Sequence, residues 1–257
     1  MAAHAQTEPA TKPIATFKVY RGDATEGQYV TYQVPVEEGM VVLDAIHHIQ
    51  ENDAPDLACR WNCKAAKCGS CSAEVNGKPS LMCKTRMDAL PLDEPVVVAP
   101  LKAFPVIKDL TTDVSWNYRQ NKRITPFTPK TEDTDTWVMM QQDVDRVQEF
   151  RKCIECFLCQ DVCHVIRNHE KKDDFVGPRF MIRMASLEMH PMDVADRIPF
   201  AKEEADIGLC NITKCCTEVC PEHIHITDNA IIPLKERVVD RYYDPLMALF
   251  NGVLGKK

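Results

Sequence analysis

The chain has 257 residues, 45% hydrophobic and 27% charged, with a formal net charge of −7. That mix makes one large or two modest globular domains and argues against long disorder. The acidic balance argues against nucleic acid as a partner, because phosphate binding needs clustered Lys and Arg, and no apolar run reaches the roughly 18 residues that span a bilayer.

Residues 1–13 are polar, without the basic-then-apolar order of a signal peptide or the Arg-rich character of a transit peptide, and read as a flexible tail. Alternation over residues 15–20 and 29–36 predicts two strands joined by a hairpin across residues 22–27. Val42, Leu43, Ile46 and Ile49 recur at three to four residues, a helical stripe. Residues 72–75 run into Asn76-Gly77, a hairpin signal, and residues 96–99 read as a buried strand. Residues 121–135 are rich in Thr, Pro and charge and read as a linker or extended crossing. Beyond them the pattern turns helical. Val144, Val147 and Phe150 precede a cysteine block, and Gly177-Pro178 opens a helix through Phe180, Met181, Met184 and Leu187 that ends before Pro191. A last run over residues 231–250 is kinked near Pro245. The expected organisation is α+β: a tail (1–13), a β-grasp plant-type ferredoxin domain (14–115), a linker (116–140), an all-α bacterial-type ferredoxin domain (141–245) and a C-terminal tail (246–257).

The chain holds 13 cysteines. With no export signal, clustered thiols point to metal or redox chemistry rather than disulfides. Cys63, Cys68 and Cys71 have the spacing C-x4-C-x2-C, and Cys83 follows across the predicted hairpin. This is the plant-type [2Fe–2S] pattern. Four thiolates must converge on two irons, and Gly69 lets the backbone pass close to them. A structural zinc site is the rival, but zinc favours two close pairs of cysteines. Cys59, four residues upstream, reads as a buried free thiol. Arg60, Lys64 and Lys67 put positive charge beside the anionic cluster or form a solvated face.

Cys153, Cys156, Cys159 and Cys163 follow C-x2-C-x2-C-x3-C, the bacterial two-cluster run in which the fourth cysteine ligates the other cluster. Cys210, Cys216 and Cys220 form a second, altered run with Thr213 where a cysteine is expected. Crosswise ligation assigns Cys153, Cys156, Cys159 and Cys220 to a [4Fe–4S] cluster. It leaves Cys163, Cys210 and Cys216, three thiolates, for a [3Fe–4S] cluster. Cys215 could complete a [4Fe–4S] there instead, though consecutive residues usually point in different directions. His164 reads as a partly exposed histidine or a tuning group, and His223 and His225 as structural.

A plant-type pattern followed by a bacterial-type pair lacking one cysteine resembles the iron–sulfur subunit of the succinate dehydrogenase / fumarate reductase family. The resemblance runs from about Ile14 to Tyr243 and includes the segment from Pro100 to Leu110 and the Phe175-Val-Gly-Pro178 helix start. It implies an electron-transfer subunit that does no bond chemistry itself. A flavoprotein partner would oxidise succinate or reduce fumarate at FAD, and a membrane-anchor partner would offer quinone. The chain would then sit peripherally on the cytoplasmic side of the inner membrane. Where family members often have proline and tryptophans after the fourth cysteine of the first run, this chain has His164, Arg167 and Asn168. Asn211 replaces a frequent histidine. These four residues are the candidate quinone or electron exit. Fumarate reductase, an adaptor for another flavin dehydrogenase and a free-standing carrier remain the alternatives.

Overall fold

The computed structural model describes residues 12–130, 138–168 and 174–245. Strand β1 (Ile14–Gly22) buries Ala15, Phe17 and Val19 at alternate positions, as a half-covered strand must. It pairs antiparallel with β2 (Gly27–Pro35), Ile14 opposite Pro35 and Gly22 opposite Gly27. Helix α1 (Val42–Asn52) then presents Val42, Leu43, Ala45, Ile46 and Ile49 to the core, and Asp44 accepts the Val41 N–H at 3.2 Å to close its first turn. Strands β3 (Ser72–Val75) and β4 (Lys78–Leu81) form the second hairpin over Asn76 and Gly77. Strand β5 (Val96–Ala99) runs parallel to β1, giving the order β2-β1-β5-β3-β4. A small ribbon of β6 (Val106–Lys108) and β7 (Thr111–Thr112) follows. Between them Asp109, 2% exposed, accepts hydrogen bonds from Arg21 at 3.1 Å, the Gly22 N–H at 3.0 Å and the Ala58 N–H at 2.8 Å. That carboxylate pins the first hairpin to the start of the first cysteine loop.

The rest of the described chain is helical: α2 (Ser115–Arg123), α3 (Gln141–Gln148), α4 (Leu158–Asp161), α5 (His164–Asn168), α6 (Pro178–Glu188), α7 (Ile198–Glu203), α8 (Cys215–Glu218) and α9 (Ile232–Tyr242), with a π-type turn at Ile226–Ile231. Helix α2 lies in the segment expected to be a linker. Its composition is too polar for an amphipathic reading; it is held by a buried amide. Gln160 donates to Asn117 Oδ1 at 3.2 Å and to the Val176 carbonyl at 3.1 Å, while its Oε1 accepts the Arg179 N–H at 3.1 Å. Gly177 has φ +88°, and a Cβ there would stand 2.1 Å from Gln160 Oε1. The Gly-Pro start of α6 is therefore a seat for Gln160, tying α2, α4 and α6 together. Both terminal tails, except Lys12 and Pro13, and the helical run beyond Pro245 lie outside the described residues.

One hydrophobic cluster continues from β1 to α9, and charges cross between the halves inside it. Glu74 on β3 (1% exposed) faces Arg167 of α5 and Lys102, the latter at 3.1 Å, and Arg167 also lies 3.7 Å from buried Asp161. Asp161 accepts the Ala103 N–H at 2.9 Å. A buried carboxylate survives only when paired like this.

Candidate functional site

The first cysteine loop is wound by left-handed residues. Lys64, Ala66 and Gly69 have φ of 53°, 56° and 70°, and such alternation turns successive N–H groups to one side, forming an anion-binding concavity. The N–H groups of Ala65 and Lys67 each reach Cys63 Sγ at 3.3 Å, and that of Ala66 reaches Cys83 Sγ at 3.3 Å. The β3–β4 hairpin returns Cys83 beside Cys71, its N–H 3.5 Å from Cys71 Sγ. Cys63, Cys68, Cys71 and Cys83 are thus brought to one end of the sheet.

The loop also touches the second half. A Cβ at Gly69 would lie 2.7 Å from Cys156 Cα and 3.0 Å from its backbone nitrogen. The Ser72 hydroxyl stands 2.9 Å from both the Gly69 and the Cys156 carbonyls and shares its proton between them. Lys67 pairs with Glu222 at 3.2 Å, and Lys84 donates to the Pro221 carbonyl at 2.8 Å. Neither the glycine contact nor the serine bridge carries a sequence signal. Both depend on two loops far apart in the chain.

Two of the cavities in the helical half are lined by cysteines. One is lined by Cys153, Cys156, Cys159 and Cys220 among apolar residues, with buried Arg179 at its wall. The other is lined by Cys163, Cys210, Cys215 and Cys216, with His164, Asn211 and Thr213 at its rim. Both rest on the same backbone frame. Residues two and four after Cys153, Glu155 and Phe157, have φ of 55° and 61°. Residues two and four after Cys210, Ile212 and Lys214, have φ of 60° and 63°. A short helix starts on the fifth residue in each case, α4 at Leu158 and α8 at Cys215. Thr213 therefore stands at the frame position of Cys156. A left-handed β-branched residue such as Ile212 is costly and persists only where the surroundings impose it.

Packing so many thiols together opposes their ionisation. Burial pushes Cys71 and Cys156 up to about 12 and Cys163 and Cys216 up to about 11. It holds Cys159 well above its ordinary value. Burial also pushes Cys68 up, but hydrogen bonds involving Ser70 and Cys63 outweigh it and bring that thiol down to about 6. The buried sulfurs, unlike Cys68, become thiolates at neutral pH when cationic metal supplies the charge that solvent cannot. Thiol donors with N–H groups aimed at sulfur fit iron–sulfur clusters.

Of the candidate exit residues, exposed His164 and Asn211 flank the last cavity. Arg167 does not line it, since its guanidinium is engaged with Glu74 between the halves. Asn168 ends α5, exposed and away from the cavity lining. Unforeseen from sequence, Lys235 of α9 donates to the Cys210 carbonyl at 2.6 Å. Cys59 is partly buried, and burial pushes its thiol up to about 12.

Residues 16–119 match the model of a 2Fe-2S iron-sulfur cluster binding domain, and residues 149–224 that of a 4Fe-4S dicluster domain. The chain is similar to the fumarate reductase iron-sulfur subunit of Escherichia coli, 30% identical over 75% of this chain and 79% of the relative. It is 32% identical to one subunit of the CoM/CoB fumarate reductase of Methanothermobacter marburgensis, over 85% of this chain. The chain spans 43%, 44% and 42% of the length of three archaeal relatives, the last of them that CoM/CoB fumarate reductase subunit. Among solved structures, a chain of the Mycobacterium smegmatis Sdh1 complex in the apo form superposes with a TM-score of 0.89 at 59% identity, covering 91% of this chain and 99% of the other.

Proposed function

The chain belongs to the family of succinate dehydrogenase and fumarate reductase iron–sulfur subunits, and from that premise we propose that it carries electrons between a flavoprotein partner acting on succinate at FAD and quinone held with a membrane-anchor partner. The observation that carries the reading is the pair of thiol-lined cavities on one repeated backbone frame, joined to a third group of thiols by the Gly69–Cys156 contact. The proposed ligands are Cys63, Cys68, Cys71 and Cys83 for [2Fe–2S]; Cys153, Cys156, Cys159 and Cys220 for [4Fe–4S]; and Cys163, Cys210 and Cys216 for [3Fe–4S]. When bound, the clusters supply a row of one-electron carriers for a two-electron flavin reaction.

The residues around them have separate tasks. The N–H groups of Ala65, Ala66 and Lys67 stabilise charge on sulfur. Gly69 and Ser72 fix the spacing of the first two sites. Arg179 and Lys235 put positive charge beside the second and third, which favours the reduced state. The five-stranded order with α1 across it supports a β-grasp assignment for the first domain. Similarity to the Sdh1 chain favours succinate oxidation over fumarate reduction. Among the described residues no helix is long and apolar enough to cross a membrane. Attachment on the cytoplasmic side through the anchor partner is the proposed location. His164 and Asn211, exposed beside the third site, are the proposed exit.

Low-temperature electron paramagnetic resonance of the membrane-extracted complex tests this. An oxidised-state [3Fe–4S] signal that succinate abolishes while a [2Fe–2S] signal grows is the expected result. Clusters indifferent to succinate would move the function to another flavin partner.

A further inference from the structure

The cavity of the third site holds one thiol more than the proposed ligand set uses. Cys215 lines it together with Cys163, Cys210 and Cys216. Its sulfur is 3.3 Å from Thr213 Oγ1 and 3.7 Å from the Val162 carbonyl. Thr213 occupies the frame position at which the first run carries a ligand cysteine, so the Cys215 sulfur lies one van der Waals contact from the corner where a fourth donor would sit. Packing does not require sulfur here. The counterpart of Cys215 in the first run is Leu158, an ordinary core residue 1% exposed. The rim segment from Asn211 to Lys214 is exposed, leaving a path for a small ion.

Resting on the assignment of Cys163, Cys210 and Cys216 to a [3Fe–4S] cluster, we propose that Cys215 is a reserve ligand through which that site takes up a fourth, ferrous ion and becomes [4Fe–4S]. The step balances without a further reagent. The one-electron-reduced, neutral [3Fe–4S] core gains one Fe²⁺ and becomes a [4Fe–4S] core of charge +2. A bond forms between the new iron and Cys215 Sγ, the S–H bond breaks, and its proton passes to water. The reducing electron is the one the relay delivers. Passage of one electron to the quinone acceptor reverses the step: the bond from Cys215 Sγ to the fourth iron breaks, Fe²⁺ leaves an oxidised [3Fe–4S] core, and the sulfur takes a proton back from water. The site is thereby an iron-sensitive brake: under reducing, iron-rich conditions its last carrier is exchanged for one of lower potential.

The test uses the holo-protein with its native partners, reduced anaerobically with dithionite and given ferrous ion enriched in the Mössbauer-active isotope. In the wild type the label should appear as cluster iron, one per chain, with matching loss of the [3Fe–4S] resonance. In Cys215→Ala, and in Cys215→Ser as a second variant of nearly equal size, the label should remain simple ferrous ion and the resonance should persist. Uptake equal in wild type and Cys215→Ala overturns the proposal, because another donor then holds the ion. So does no uptake where the oxidised [3Fe–4S] signal is present. If the oxidised wild type lacks that signal and Cys215→Ala gains it, Cys215 is a standing ligand and the reserve role is overturned. If neither protein shows it, the three-cysteine assignment itself fails.

Discussion

Gly69→Ala should loosen the joint between the first two cluster sites. Two costs add. At φ +70° an L-residue is disfavoured by about 1–2 kcal/mol. The new Cβ would also stand 2.7 Å from Cys156 Cα, 2.9 Å from its Cβ and 3.0 Å from its nitrogen. These atoms belong to a ligand loop, so the loop must move, and overpacking of this kind costs about 1–3 kcal/mol. The sum, about 2–5 kcal/mol, is a large share of the roughly 5–15 kcal/mol that holds a domain. Gly39→Ala is the internal control: φ is +77° but nothing lies within 4 Å of its Cβ, so it carries the backbone cost alone. The assay is thermal unfolding of the holo-protein, combined with the magnetic interaction between the two reduced clusters seen in electron paramagnetic resonance. Gly69→Ala should melt earlier than Gly39→Ala and show a weaker interaction. Equal melting of the two variants, with the interaction intact, would refute the close approach of Gly69 to Cys156.

Arg167→Ala strands Glu74, 1% exposed, with only Lys102 beside it, and breaking a buried pair costs about 3–5 kcal/mol; urea unfolding should read a loss near the lower end, and Glu74→Gln added to it should recover part. An Arg167→Ala midpoint equal to wild type would mean the guanidinium is not where it is described. Lys235→Gln removes a cation from the Cys210 carbonyl and should lower the potential of the third cluster by tens of millivolts, on the order expected for one partly solvated charge; a redox titration showing no change or a rise contradicts it. Burial raises the Cys59 thiol from 9.0 to about 12. Its contribution to stability is therefore full below the unfolded value near 9.0 and is lost as pH rises toward about 12. Alkylation of the holo-protein at pH 8 should leave Cys59 unmodified in a mass-spectrometric map, and Cys59→Ala should keep the [2Fe–2S] signal.

What sequence made legible divides along the range of the interactions. Strands β1 to β5 and α1 follow from alternation and periodicity, because burial of Phe17, Val19, Ile46 and Val98 is decided by local pattern. The cysteine spacings are local too, since each loop must wrap one compact group of irons. Helix α2 was hidden because its stability comes from Gln160, forty-three residues beyond Asn117, and not from an apolar stripe. The Glu74–Arg167 pair was hidden for the same reason. Arg167 read as a candidate exit residue after a cysteine run, whereas the fold turns it to a carboxylate ninety-three residues earlier. Periodicity says which face of an element is buried, not which element covers it.

The repeated frame separates two questions that the cysteine count alone merges. Loss of a cysteine from a ferredoxin run could reflect a run that no longer folds as one. Glu155 and Phe157 in the first run and Ile212 and Lys214 in the second share left-handed backbone at matching offsets, so the second run keeps the geometry that presents donors inward. Non-glycine residues in that region are disfavoured, and β-branched Ile212 more than most. A frame retained at that cost supports the proposed cluster site on it. On the proposed ligand set, Thr213 puts a hydroxyl, which binds iron weakly at neutral pH, where the first run has the Cys156 sulfur. The change is therefore one of ligand number rather than of fold, and restoring the thiol, as in Thr213→Cys, should convert the site to a permanent [4Fe–4S] without altering the melting of the surrounding helices.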